Sequence, residues 1–95
     1  INKNIMTDTL LIHENKRIGN IVTADIDVIN SSTLIVGGIV NGQINVHKSA
    51  IVIVDGIVNG NIINAGTCKI FGIVNGNLIE NGGQFEIDKG ALINT

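Results

Sequence analysis

The sequence predicts an all-β, single-domain fold, a three-sided parallel β-helix (β-solenoid) of about five coils. Three observations predict it: a pentapeptide that recurs at near-constant spacing, apolar residues that alternate with a period of two, and a composition built on Ile, Val, Gly and Asn. Hydrophobic residues make up 44% of the chain, yet there is no Trp, Tyr or Pro and only two Phe. Branched aliphatic residues therefore carry the apolar content, and these are stiff at χ1 and suited to a pleated surface. Gly and Asn supply tight turns between short strands. A helical chain would draw far more on Ala, Leu, Glu and Lys.

Gly-Ile-Val-Asn-Gly occurs three times, at 38–42, 56–60 and 72–76, with starts 18 and then 16 residues apart. A further step of 18 in each direction reaches Gly90-Ala91-Leu92-Ile93-Asn94 and Asn20-Ile21-Val22-Thr23-Ala24. Five degenerate copies thus cover residues 20–95, and a fixed period of this kind is the signature of a stacked repeat. Within one copy, Val36, Gly38, Val40, Gly42, Ile44 and Val46 fall on one side, and Ala50, Val52 and Val54 continue after a break at His47-Lys48-Ser49. Period two means strands, and a repeat this short leaves no room for two helices.

Stacking the copies gives the expected inward columns: Val22, Val40, Val58, Val74 and Leu92; Ile26, Ile44, Ile62 and Leu78; Leu34, Val52, Cys68 and Phe85; Val36, Val54, Ile70 and Ile87. Gly42, Gly60 and Gly76 occupy inward positions at a bend, where the chain is tight or needs positive φ. Outward Asn41, Asn59 and Asn75 are expected to stack as an amide ladder, with Gln43, Asn61 and Asn77 as a second one. The corner near Asn64-Ala65-Gly66 is two residues short, and Glu80-Asn81-Gly82-Gly83 is its looser counterpart in the next coil. Residues 1–19 do not follow the repeat and are expected to form an N-terminal capping segment, since a solenoid must cover its first coil.

The run Val54-Asp55-Gly56-Ile57-Val58-Asn59-Gly60-Asn61-Ile62 resembles the bactofilin repeat, in which apolar residues alternate with Gly. Residues 36–44 and 70–78 match the same pattern, so the resemblance covers the repeat region 20–95. It implies a right-handed, three-sided β-helix of the kind found in bacterial cytoskeletal polymers, with no cofactor and with assembly through the ends of the solenoid. Leu92 and Ile93 are the candidate end-to-end contact.

One surface feature points another way. The position after the first Gly of the motif is outward, and here it holds Ile21, Ile39, Ile57, Ile73 and then Ala91, with Ile35 and Ile53 as neighbours that could widen the stripe. A contiguous apolar stripe is a candidate protein interface. The alternative function is therefore a small immunity or inhibitor protein that binds and neutralises a toxin.

Catalysis is not expected. Only His13 and His47 are present, too few for a histidine-ligated metal, and His47 sits at a corner beside Lys48. Cys68 falls in an inward column and reads as a small buried hydrophobe. Asp25, Asp27, Asp55, Glu86 and Asp88 are scattered outward positions. The Gly spacing lacks the Lys and Ser or Thr of a phosphate-binding loop. Net charge is −2, and residues 20–95 carry three Lys against six acids, which gives no clustered basic footprint for nucleic acid. A single cysteine allows no internal disulfide, no signal-peptide core opens the chain, and no apolar run is long enough for a membrane helix. The expected location is cytoplasmic, and the expected partner is a second copy of the chain or another protein.

Overall fold

The computed structural model describes residues 9–95, and within them the chain winds through five coils of three strands each. Coil one holds β1 (Thr9–Ile12), β2 (Lys16–Ile18) and β3 (Ile21–Thr23); coil two holds β4 (Asp25–Val28), β5 (Thr33–Val36) and β6 (Ile39–Asn41). Coil three holds β7 (Ile44–Val46), β8 (Ile51–Val54) and β9 (Ile57–Asn59); coil four holds β10 (Ile62–Asn64), β11 (Thr67–Ile70) and β12 (Ile73–Asn75). Coil five holds β13 (Leu78–Glu80), β14 (Gln84–Ile87) and β15 (Leu92–Asn94). Strands three apart in sequence pair in parallel, giving three five-stranded sheets: β1-β4-β7-β10-β13 (sheet A), β2-β5-β8-β11-β14 (sheet B) and β3-β6-β9-β12-β15 (sheet C). The fold is the three-sided parallel β-helix that the repeat predicts.

Inward side chains of the three sheets meet in one core. Ile26, Leu34, Val40, Ile44, Val52, Val58, Ile62, Cys68, Ile70 and Val74 have no exposed surface, and burying a side chain of this size contributes about 1.5–3 kcal/mol. The columns fall in the expected register at Val22-Val40-Val58-Val74, Ile26-Ile44-Ile62-Leu78, Leu34-Val52-Cys68-Phe85 and Val36-Val54-Ile70-Ile87. The bends that join sheets C and A use glycine for close approach, not for positive φ. A Cβ built on Gly42, Gly60 or Gly76 would collide with the carbonyl oxygen of Ala24, Gly42 or Gly60 in the coil below. Gly82, in the corner between β13 and β14, has φ 90 and open space around it.

One expectation needs correction. Leu92 pairs with Ile73, and Ile93 with Val74, so the last coil is shifted by one residue from the reading that put Leu92 in the core. The cause is the Asp88–Ala91 turn. Asp88 Oδ2 accepts from Gly90 N at 2.9 Å, and Asp88 O accepts from Ala91 N at 3.0 Å. That turn puts four residues between β14 and β15, where Phe71-Gly72 suffices between β11 and β12. Gly90 thereby belongs to the turn instead of standing over Gly72.

Two strands of coil one precede the repeat copies. Thr9–Ile12 pairs with Asp25–Val28, and Lys16–Ile18 with Leu34–Val36, both in parallel. Thr9–Ile12 and Lys16–Ile18 are therefore strands of the stack, although they carry no Gly-Ile-Val-Asn-Gly signature. The remainder of the expected capping segment, residues 1–8, lies outside the described residues.

Candidate protein interface

Sheet C places two outward columns side by side. One is Ile21, Ile39, Ile57, Ile73 and Leu92, all in register; Leu92, not Ala91, completes it. The other is Thr23, Asn41, Asn59, Asn75 and Asn94, which forms the expected ladder. Asn41 Nδ2 donates to Thr23 Oγ1 at 3.4 Å, Asn59 to Asn41 Oδ1 at 2.8 Å, Asn75 to Asn59 Oδ1 at 2.7 Å and Asn94 to Asn75 Oδ1 at 2.8 Å. Every amide donates to the coil before it, so the ladder has a direction.

The apolar column has a structural role as well. Ile39, Ile57 and Ile73 are half-buried, because in-register neighbours lie about 4.8 Å above and below. Only the ends of the column are open, with Ile21 63% and Leu92 51% exposed. Ile35 and Ile53 do not widen this stripe. They pair across β5 and β8 in sheet B, on the adjacent face, in an outward column that runs Arg17, Ile35, Ile53, Lys69 and Glu86.

The second expected ladder takes another form. Asp25 Oδ1 accepts from Gln43 N at 2.9 Å and Asn61 Oδ1 accepts from Asn77 N at 2.9 Å, so these side chains satisfy backbone groups of the next coil instead of pairing with each other. Asn45 Nδ2 does donate to Asp27 Oδ1 at 2.8 Å. Asn64, at the shortened corner, is a buried polar residue. It donates to Gln84 O at 2.9 Å and accepts from Gly66 N at 3.0 Å, which holds the shortened corner against the next coil.

The residues weighed for chemistry are dispersed. His47 is exposed, with Nε2 3.9 Å from Asp27 Oδ1 across a shallow depression also lined by Asn45, Lys48 and Ile63. Cys68 is buried, and burial pushes its thiol up to about 12, which keeps it protonated and unreactive near neutrality. Among the described residues, no group of three or more His, Cys, Asp or Glu is placed to hold a metal ion, and no helix is long and apolar enough to cross a membrane.

Among the described residues, the exposed large hydrophobic ones are Leu11, Ile21, Phe71, Ile79, Ile87 and Leu92. All but Phe71 lie in the first or last coil, at the ends of columns. The sequence offered no signal for Leu11 and Ile79, because both alternate correctly as outward residues and only their place at an end leaves them bare. Comparison with family models, with curated proteins and with solved structures gave no match.

Proposed function

We propose that this chain is a non-enzymatic, bactofilin-like β-helical protein that acts by self-association through the ends of its solenoid. The observation that carries the reading is the concentration of exposed apolar side chains at those ends. In coil five, Ile87 is 50% exposed at the head of an inward column, Leu78, Phe85 and Ile93 are half-buried, and β13, β14 and β15 are the edge strands of their sheets. Edge strands with apolar residues beside them are templates for pairing with another chain. In this reading Ile93 would contribute to the contact from the inward side and Leu92 from the outward side.

A toxin-binding role on sheet C has weaker support, because three of the five members of its apolar column shield one another. Both readings need no catalytic group, and the buried, protonated Cys68 suits that. The test is sedimentation of the full chain over a range of concentrations. The wild-type protein is expected to form dimers or larger species, and Ile87→Asp combined with Leu92→Asp to sediment as a monomer with an unchanged β-sheet circular dichroism spectrum. A wild-type chain that stays monomeric at roughly millimolar concentration, where even weak specific contacts form, would contradict the proposal.

A further inference from the structure

We propose that Asn81 is a site of spontaneous covalent modification, at which the side-chain amide is lost through a cyclic imide formed with Gly82. The inference stands apart from the self-association reading and does not depend on it. Four Asn-Gly pairs occur in the chain, at 41–42, 59–60, 75–76 and 81–82. In such a pair the backbone nitrogen that follows Asn is least shielded, because glycine has no Cβ. The fold restrains three of the four and leaves one open.

Asn41, Asn59 and Asn75 belong to the amide ladder, where each side chain donates one hydrogen bond and accepts another. Each also ends a strand (β6, β9 or β12) that is paired on both sides within sheet C. The bend that follows is crowded, since a Cβ on Gly42, Gly60 or Gly76 would collide with a carbonyl oxygen of the coil below. Gly42 N is itself engaged, donating to Asn59 O at 3.1 Å. Imide closure at these sites requires the amide to leave both ladder bonds and paired backbone to rotate in a tight bend.

Asn81 lies in the corner between β13 and β14 without these restraints. Exposure alone does not single it out, because Asn59 and Asn75 are exposed as well. Hydrogen bonding does: among the described residues, Asn81 alone of the four has no side-chain hydrogen bond. Asn81 N and Gly83 N both donate to Asn64 O, at 2.8 and 3.1 Å, while the Gly82 amide between them has no backbone acceptor among the described residues. Gly82 has φ 90, and nothing lies within 4 Å of the place a Cβ would take. Gly82 N can therefore attack Asn81 Cγ. The N–Cγ bond forms as Cγ–Nδ2 breaks, the Gly82 amide proton passes to Nδ2, and ammonia leaves. Water then opens the imide at one carbonyl or the other, giving aspartate or iso-aspartate. Iso-aspartate lengthens the backbone by a methylene, which this corner can absorb, since the same corner spans only Ala65-Gly66 in coil four but His47–Ala50 in coil three. Either product sets a new carboxylate on the rim of the depression lined by His47 and Lys48.

Incubation of the full folded chain at mildly alkaline pH, followed by peptide mapping with fragment-ion mass spectrometry, reads all four sites in one sample. Asn81 is expected to deamidate roughly tenfold faster, or more, than Asn41, Asn59 or Asn75, which must first break their ladder hydrogen bonds. In denaturant the contrast is expected to disappear, because all four pairs then lie in open chain. Asn81→Gln is expected to abolish the acidic species on ion exchange and to leave the β-sheet circular dichroism spectrum unchanged. Ladder asparagines that react as fast as Asn81 in the native chain would overturn the proposal. So would an Asn81 that stays intact in the native chain while the denatured chain reacts.

Discussion

Gly60 lacks a side chain because the carbonyl oxygen of Gly42 occupies the space a Cβ would need. The constraint is one of approach between coils, so substitution forces backbone to move instead of a flexible side chain. Gly60→Ala is expected to destabilise the fold by about 1–3 kcal/mol, as overpacking of a tight interior does. For a domain of this size that lowers Tm by roughly 4–20 °C, measurable by thermal unfolding; an unchanged Tm would show that the coils can separate there at no cost. Cys68 is the residue-scale case with a pH dependence. Its folded thiol is raised to about 12 by burial, above its unfolded value, so its contribution to stability is complete below about pH 9 and is lost as pH rises towards 12. In the native state at pH 8 a disulfide reagent is expected to leave the thiol unmodified and to react stoichiometrically once denaturant is added. Rapid native labelling would contradict its place in the core.

At the scale of elements, the strands were legible wherever one residue type served one position in every coil. Val40, Val58 and Val74 repeat because each fills the same core site, and Asn41, Asn59 and Asn75 repeat because each amide needs the next. Legibility failed where coil geometry was met by different chemistry. The strand Lys16–Ile18 pairs with Leu34–Val36 through backbone groups that leave no motif behind. The shift at Leu92 came from a turn capped by Asp88, and turn length is invisible to a periodicity read through it. Asn64 looked like a corner residue; its burial is tolerable only because Gln84 O and Gly66 N satisfy its amide, and the partners 20 and 2 residues away are set by the coil, not by local sequence. The candidate interface fared similarly. Ile21, Ile39, Ile57 and Ile73 do share a face, but Ile35 and Ile53 turn away because Gly37-Gly38 and Asp55-Gly56 make corners between sheets B and C.

The molecule as a whole is a stack whose interior coils are satisfied and whose ends are not. Among the described residues, each interior strand has a neighbour on either side, while the strands of the first and last coils are edge strands that carry the exposed Leu11, Ile21, Ile79, Ile87 and Leu92. The proposed self-association would add copies along the axis, at a cross-section set by one coil. Each copy adds five coils, an increment of roughly 24 Å. The most direct measurement is small-angle X-ray scattering over a concentration series. Stacking through the ends is expected to hold the cross-sectional radius constant while the longest dimension rises in steps of about that increment. A scattering curve that does not change with concentration, or one that grows in cross-section instead of length, would contradict association through the solenoid ends.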